Sequence, residues 1–310
     1  MKTNIGKFKQ ICQMSQKTLK KHLTKDLSEI YPNVISDDGY VFAQGEFPVL
    51  LVAHMDTVHK TLPQTFIYDE KTQVISSPQG IGGDDRCGIY MIMEIIKKYN
   101  CSVLFCEDEE IGAVGADKFA NEKWIKELDF NYIIEFDRKG NNDAVFYDCD
   151  NIDFEDFITK EFYKSSWGSF SDISVLAPAL GCAAVNLSCG YYHAHTTKEY
   201  VVIPEMEASI EAACKILERT TEEDRFEYIE AERPYRYSSY GWGDDWYDDY
   251  GYYSGQDTYF VIEYVDEKGD MQWAEVDGYN RAEAIGMFCI ENPKIPYENV
   301  IDVYSGIANK

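Results

Sequence analysis

An α/β fold with a mixed, mostly parallel sheet, followed by a small C-terminal α+β module, is what three features of this chain predict. Short β-rich apolar runs recur through the first 217 residues, stripes of helical period lie among them, and the composition changes after Leu217. At 310 residues and 45% hydrophobic content, the chain can bury one globular domain with an appendage, or two domains.

The elements follow in order. Lys7 to Leu27 carries Phe8, Ile11, Leu19, Leu23 and Leu27 among lysines and glutamines, a loosely helical pattern suited to a core edge. Pro48 to Ala53 (PVLLVA), Cys101 to Cys106 (CSVLFC), Tyr132 to Phe136 (YIIEF) and Ala183 to Leu187 (AAVNL) read as strands buried on both faces. The glycine-rich turn Gly80 to Asp85 precedes Ile89, Ile92, Met93 and Ile96 at helical spacing, so a helix starts there. Gly168 to Ile173 (GSFSDI) is turn-rich and reads either as a cleft lining or as a structural loop. Pro204 to Leu217 is a second helix, with Pro204 in its first turn and Met206, Ile210, Ala213, Cys214 and Leu217 on one face.

Beyond Leu217, Glu218 to Glu232 is acidic and reads as helical. Tyr235 to Tyr253 is dense in Tyr, Gly, Ser and Asp, the composition of a flexible linker or of an aromatic recognition arm. Tyr259 to Val265, a turn at Asp266 to Asp270, Met271 to Val276, a helix at about Arg281 to Ile290, and Val300 to Tyr304 then suggest a ββαβ module.

Several functions are disfavoured by bulk properties. Lys and Arg number 29 against 55 Asp and Glu, and the net charge of −26 opposes contact with nucleic acid or anionic lipid. No apolar run is long enough to span a membrane, and the N-terminal residues lack a secretory h-region, so a cytoplasmic protein is expected. Nine cysteines without a CxxC pair fit free, buried thiols in a reducing compartment.

The chemistry-bearing residues fall at the ends of the predicted strands. His54 and Asp56 follow the first, Asp84 and Asp85 open the helix after it, Glu109 and Glu110 follow the second, Asp137 ends the third, and His195 lies in the loop after the fourth. The first four clusters are spaced at roughly 25 to 30 residues, the length of one strand-helix unit, and ligands in such sheets gather beyond the carboxyl ends of the strands. One or two imidazoles, several carboxylates and one shared carboxylate are what a pair of divalent cations requires, with a further carboxylate free to activate water. Singly, each cluster is better read as a core histidine or an ordinary turn; their joint occurrence at successive strand ends reverses that. His22 and His59 lack such support and are expected at the surface.

Over about residues 45 to 217, the chain resembles the co-catalytic di-zinc exopeptidases: peptidase T, the glutamyl and tetrahedral aminopeptidases, and bacterial zinc aminopeptidases. The resemblance rests on AHMDTV at Ala53 to Val58, IGGDDRCG at Ile81 to Gly88, EDEEIGAVGA at Glu107 to Ala116, EFDRKG at Glu135 to Gly140 and HAHTTKEYV at His193 to Val201, in the family's order. It implies a three-layer zinc-exopeptidase core, with His54 and Asp137 on one metal, Glu110 and His195 on the other, and Asp84 bridging. Asp56 would support the His54 imidazole and Glu109 would act as general base, while Asp85 would cap the helix or orient a ligand. His193 shares the loop of His195, but the glutamate four residues after His195 matches the family pattern; His193 would then be a pocket residue or support a ligand from behind.

Two divalent ions are implied, Zn with Co and Mn as alternatives. The implied activity is hydrolysis of short peptides, most simply as an aminopeptidase. An amidase or deacylase of acylated amino acids is the alternative, and an inactive peptide-binding homologue a more distant one. Only 27 residues separate Asp56 from Asp84, too few for the insert domain of the tetrahedral aminopeptidases. The segment from Asp137 to His195 is likewise too short for the lid of peptidase T. The expected organisation is a catalytic domain at 1–217, an acidic Tyr/Gly-rich linker at 218–256 and an accessory module at 257–310.

Overall fold

The computed structural model describes residues 2–168, 170–231, 259–266, 268–277 and 299–306, together with Phe288, Asn292, Lys294 and Ile295. They fall into two compact units, Met1–Glu230 and Ala231–Lys310.

In the first unit, helices α1 (Ile5–Cys12) and α2 (Gln16–Ser28) precede strands β1 (Val34–Asp37), β2 (Tyr40–Ala43) and β3 (Phe47–His54). A short pair, β4 (Ile67–Asp69) and β5 (Val74–Ser76), leads to α3 (Gly83–Ile95) and β6 (Cys101–Cys106). Then come α4 (Val114–Ala120), β7 (Tyr132–Arg138), β8 (Asp143–Val145), α5 (Ile152–Thr159), β9 (Lys164–Ser166), α6 (Asp172–Leu180) and β10 (Ala184–Ser188). The unit's last elements are β11 (Tyr191–Tyr192), β12 (Tyr200–Val202) and α7 (Ile203–Arg219).

Eight strands form the main sheet in the order β1-β2-β6-β3-β7-β10-β8-β9. The central strands β6, β3, β7 and β10 are parallel, and β2 and β8 join them antiparallel. These four are the apolar runs predicted as strands, and their period-2 geometry explains why the runs are continuous. In β3, Val49, Leu51 and Ala53 point into one core with α1, α2, α3 and α7, while Leu50 and Val52 point into a second core with α4 and α6. Helices thus cover both faces, so residues of both alternating sets must be apolar. A second sheet, β11-β12-β5-β4, carries the loop of His193 and His195.

Three expectations are corrected locally. The helical stretch at Lys7 to Leu27 is two helices, because Ser15 accepts a hydrogen bond from the Thr18 amide and so caps a fresh start. Residues 220–230 are not helical: they run as an extended arm whose Phe226 amide donates to the Asn131 carbonyl, and whose Glu227 and Glu230 form bridges with Cys182 and Cys149. GSFSDI ends by starting α6, with Ser171 as its cap in a capping box with Ser174.

In the second unit, β13 (Tyr259–Val265), β14 (Met271–Asp277) and β15 (Val300–Gly306) form an antiparallel sheet in the order β14-β13-β15. The Tyr-rich linker at 235–253 and the helix expected at 281–290, Phe288 apart, lie outside the described residues. Among the described residues no helix is long and apolar enough to cross a membrane, and the eight described cysteines are free and buried.

Candidate metal centre

The parallel strands deliver the predicted residues to one rim. His54 is the last residue of β3, Asp84 and Asp85 lie in the first turn of α3, Glu109 and Glu110 form a single turn after β6, and Asp137 lies near the end of β7. Their ligand atoms gather into two triads, His54, Asp84 and Asp137, and Asp84, Glu110 and His195, with the atoms of each within 4.8 Å of one another. Asp84 belongs to both. Its Oδ1 lies 3.0 Å from His54 Nε2, and its Oδ2 lies 3.1 Å from His195 Nε2.

Each imidazole Nε2 lies between two carboxylates. That of His54 also lies 3.4 Å from Asp137 Oδ1, and that of His195 lies 3.1 Å from Glu110 Oε2. A ring nitrogen between two carboxylates needs a cation in the gap, either its own proton or a metal ion. Glu110 Oε1 is buried and has no hydrogen-bond partner, so an electropositive group beside it is also called for. The donor set, two imidazoles and three carboxylates with one shared, therefore fits two divalent ions.

Support behind these groups is specific. Asp56 Oδ1 lies 3.1 Å from His54 Nδ1, which leaves Nε2 for the centre. The same carboxylate accepts the backbone amides of Glu109 at 3.0 Å and Glu110 at 3.1 Å, joining the β3 and β6 loops. Asp85 belongs to neither triad: its Oδ1 accepts the Gly88 amide as a helix cap, and its Oδ2 accepts the His54 amide at 3.2 Å. The Asp84–Asp85 peptide is cis. Among the described residues, four of the six non-glycine residues with positive φ, namely Asp108, Ala113, His193 and His195, flank or belong to the site loops. Such backbone is uncommon outside glycine and persists where the surroundings over-determine it.

Without a counter-cation, Glu109, Asp137 and the two histidines hold their protons more tightly than usual. Burial, with Asp137, Asp172 and Asp84 adding to it, pushes Glu109 up to about 9. Burial and the neighbouring Asp84 push Asp137 up to about 7. Hydrogen bonds donated by its ring to Asp84 and Glu110 raise His195 to about 11. Burial alone would lower His54, but Asp137, Asp56 and Asp84 outweigh it and raise that ring well above its ordinary value. Burial would likewise raise Asp84, yet the two histidines hold it below the usual carboxylate range. The site is thus a concentration of negative charge poised for divalent cations.

The structure adds residues that the sequence did not single out. Ser171 Oγ hydrogen-bonds Glu135 and lies 3.3 Å from Asp137 Oδ2, while Asn186 Oδ1 accepts the Asp137 amide at 2.9 Å. Tyr191 OH donates toward Asp137 Oδ1 at 3.2 Å. The one available signal was Glu135, a charge inside an apolar strand and two residues before Asp137. His59 corrects an expectation: its side chain is only 7% exposed, and Nε2 lies 2.9 Å from Glu199 Oε2. His22 is partly exposed beside Asp26. His193 joins neither triad; its ring packs against Tyr200 with centroids 5.5 Å apart.

Neither a family model nor a curated protein matches the chain. Solved structures do. An aminopeptidase PepT from Bacillus cereus superposes with a TM-score of 0.57 at 15% identity, covering 69% of this chain and 97% of that one. The chain shares the fold of this aminopeptidase. A tripeptidase from Staphylococcus aureus gives a TM-score of 0.56 at 13% identity, covering 69% and 96% of the two chains. An aminopeptidase from the archaeon Desulfurococcus kamchatkensis gives 0.54 at 14% identity, covering 70% and 95%. Each shares the three-layer frame on which the triads are mounted.

Proposed function

We propose that this protein is a co-catalytic metallopeptidase that removes N-terminal residues from short peptides. The observation that carries the reading is Asp84, whose two carboxylate oxygens each meet the imidazole of a different triad. His54 and Asp137 would hold one divalent ion and Glu110 and His195 the other, zinc being the ion that best suits this mixture of imidazole and carboxylate. The ions would supply polarisation of the scissile carbonyl and acidification of the attacking water.

Glu109 is the carboxylate left over for proton transfer. It sits beside the second triad without belonging to it, and its backbone is held by Asp56. In this role its carboxylate takes the proton of the attacking water and returns it to the departing amine, so that no covalent enzyme intermediate is needed. Asp56 keeps the His54 ring in the tautomer that presents Nε2 to the centre. The peptidase reading draws on the names of the structural relatives, two aminopeptidases and a tripeptidase.

The test is a hydrolysis screen of metal-loaded protein with free-amino peptides, N-blocked peptides and N-acyl amino acids. Cleavage of free-amino peptides that N-blocking stops is expected; cleavage of acyl amino acids alone would make the protein a deacylase, and no cleavage of any would overturn the reading. Glu109→Gln should lower turnover by about 100- to 10,000-fold while leaving metal binding close to wild type.

A further inference from the structure

We propose that Glu199, backed by His59, is a positioning residue that clamps the bridging acid Asp84 and locks together the three segments that meet at it. This inference rests on the metal-centre reading above.

Glu199 is fully buried, with no exposed surface at all. A carboxylate taken out of water must have its oxygens matched by donors, and here the donors are specific. Oε1 accepts the Asp84 backbone amide at 2.9 Å, Oε2 accepts the Gly82 amide at 2.7 Å, and His59 Nε2 lies 2.9 Å from the same Oε2. His59 belongs to the loop that leaves His54 and Asp56, Gly82 belongs to the turn that delivers Asp84, and Glu199 ends the loop that carries His195. One buried side chain thus ties the segments that supply His54, Asp84 and His195, the three groups in contact at the bridging carboxylate.

The glycines of the turn are explained by this pair. A Cβ on Gly80 would lie 2.2 Å from the His59 ring, and one on Gly83 would lie 2.8 Å from Val201 and 3.2 Å from Glu199 Oε1. Gly82 sits at φ +65°, which favours glycine. The turn is shaped around Glu199 and His59 as much as around Asp84.

The geometry has a distinctive consequence. Ser171 and Tyr191 touch Asp137, on one triad only, whereas Glu199 holds the backbone of the residue shared by both. Loosening it would move both Asp84 oxygens together and weaken both ions in parallel. Glu199→Gln preserves shape but turns an amide NH2 toward donors. His59→Ala removes the third donor, and His59→Gln restores an N–H there.

Cobalt(II) titration of the full-length protein, followed by visible absorption and chelator competition, is the test. Wild type should bind two ions, and Glu199→Gln should bind both about 10- to 100-fold more weakly, with an altered absorption envelope. His59→Ala should weaken both as well, and His59→Gln should recover affinity toward wild type. Folded Glu199→Gln with wild-type affinities would overturn the proposal, as would weakening of one ion alone. If Glu199→Gln fails to fold, the His59 pair decides: equal affinities in wild type and His59→Ala overturn it, and loss with rescue supports it. Absence of metal from wild type would instead overturn the metal-centre reading, and this inference with it.

Discussion

Asp56→Asn isolates the scaffolding beneath the proposed centre, because the substitution changes charge and one acceptor while keeping shape. In the native protein, Oδ1 serves both His54 Nδ1 at 3.1 Å and the Glu109 amide at 3.0 Å, and Oδ2 serves the Glu110 amide at 3.1 Å. Asparagine has one acceptor oxygen and one donor nitrogen. Whichever way its amide turns, at least one of those three N–H groups faces a donor instead of an acceptor. A lost hydrogen bond to a charged group is worth about 1.5 to 3 kcal/mol, which at 1.4 kcal/mol per tenfold corresponds to roughly 10- to 100-fold. The loss should fall on metal affinity, since His54, Glu109 and Glu110 all border the centre. Chelator competition with zinc, on wild type, Asp56→Asn and Asp56→Ala, measures it. The alanine variant should bind more weakly still, and Asp117→Asn, at an exposed position of α4, should leave affinity unchanged. Folded Asp56→Asn with affinity within twofold of wild type would refute the reasoning.

Metal-free protein should lose stability as pH rises from about 6 to 9. Glu109 and His195 are both raised in the folded state, to about 9 and about 11. Each therefore contributes stability that is fully present below its unfolded value and is lost as pH climbs through the folded one; denaturant melts across that range check the sign, and saturating metal should remove the trend. Phe119→Ala should cost about 3 to 5 kcal/mol in a urea melt, because this fully buried ring packs edge-on or tilted against Tyr40, Phe42 and Trp124 at centroid distances of 5.2, 5.2 and 5.5 Å. Gly88→Ala should also destabilise, by at least about 1 to 3 kcal/mol, since its Cβ would lie 2.0 Å from the Phe136 carbonyl oxygen; an unchanged melting temperature would contradict the close approach of α3 to β7.

The central strands were legible because burial on both faces demands unbroken apolar runs, and PVLLVA, CSVLFC, YIIEF and AAVNL all lie within or overlap β3, β6, β7 and β10. Strands β4, β5, β8, β9, β11 and β12 were not, being two or three residues long and too short to display a period. The start of α6 was hidden by GSFSDI, whose turn-like composition is also that of a helix cap. At the site, residues with recognisable spacing could be gathered from sequence, and the structure brings their ligand atoms together in two triads. His59 and Glu199 could not be paired in advance, since they lie far apart in sequence and meet only through the turn at Gly80 to Asp84. Ser171 and Asn186 were equally silent: neutral side chains that organise an acid carry no pattern of their own.

The central claim is that Asp84 is shared between two metal sites. Crystals of the protein loaded with zinc, with anomalous diffraction recorded at the zinc edge, test it most directly. Two anomalous peaks bridged by the Asp84 carboxylate are expected, one contacted by His54 and Asp137 and the other by Glu110 and His195. A single peak that leaves one triad empty, or peaks only elsewhere on this acidic chain, would contradict it.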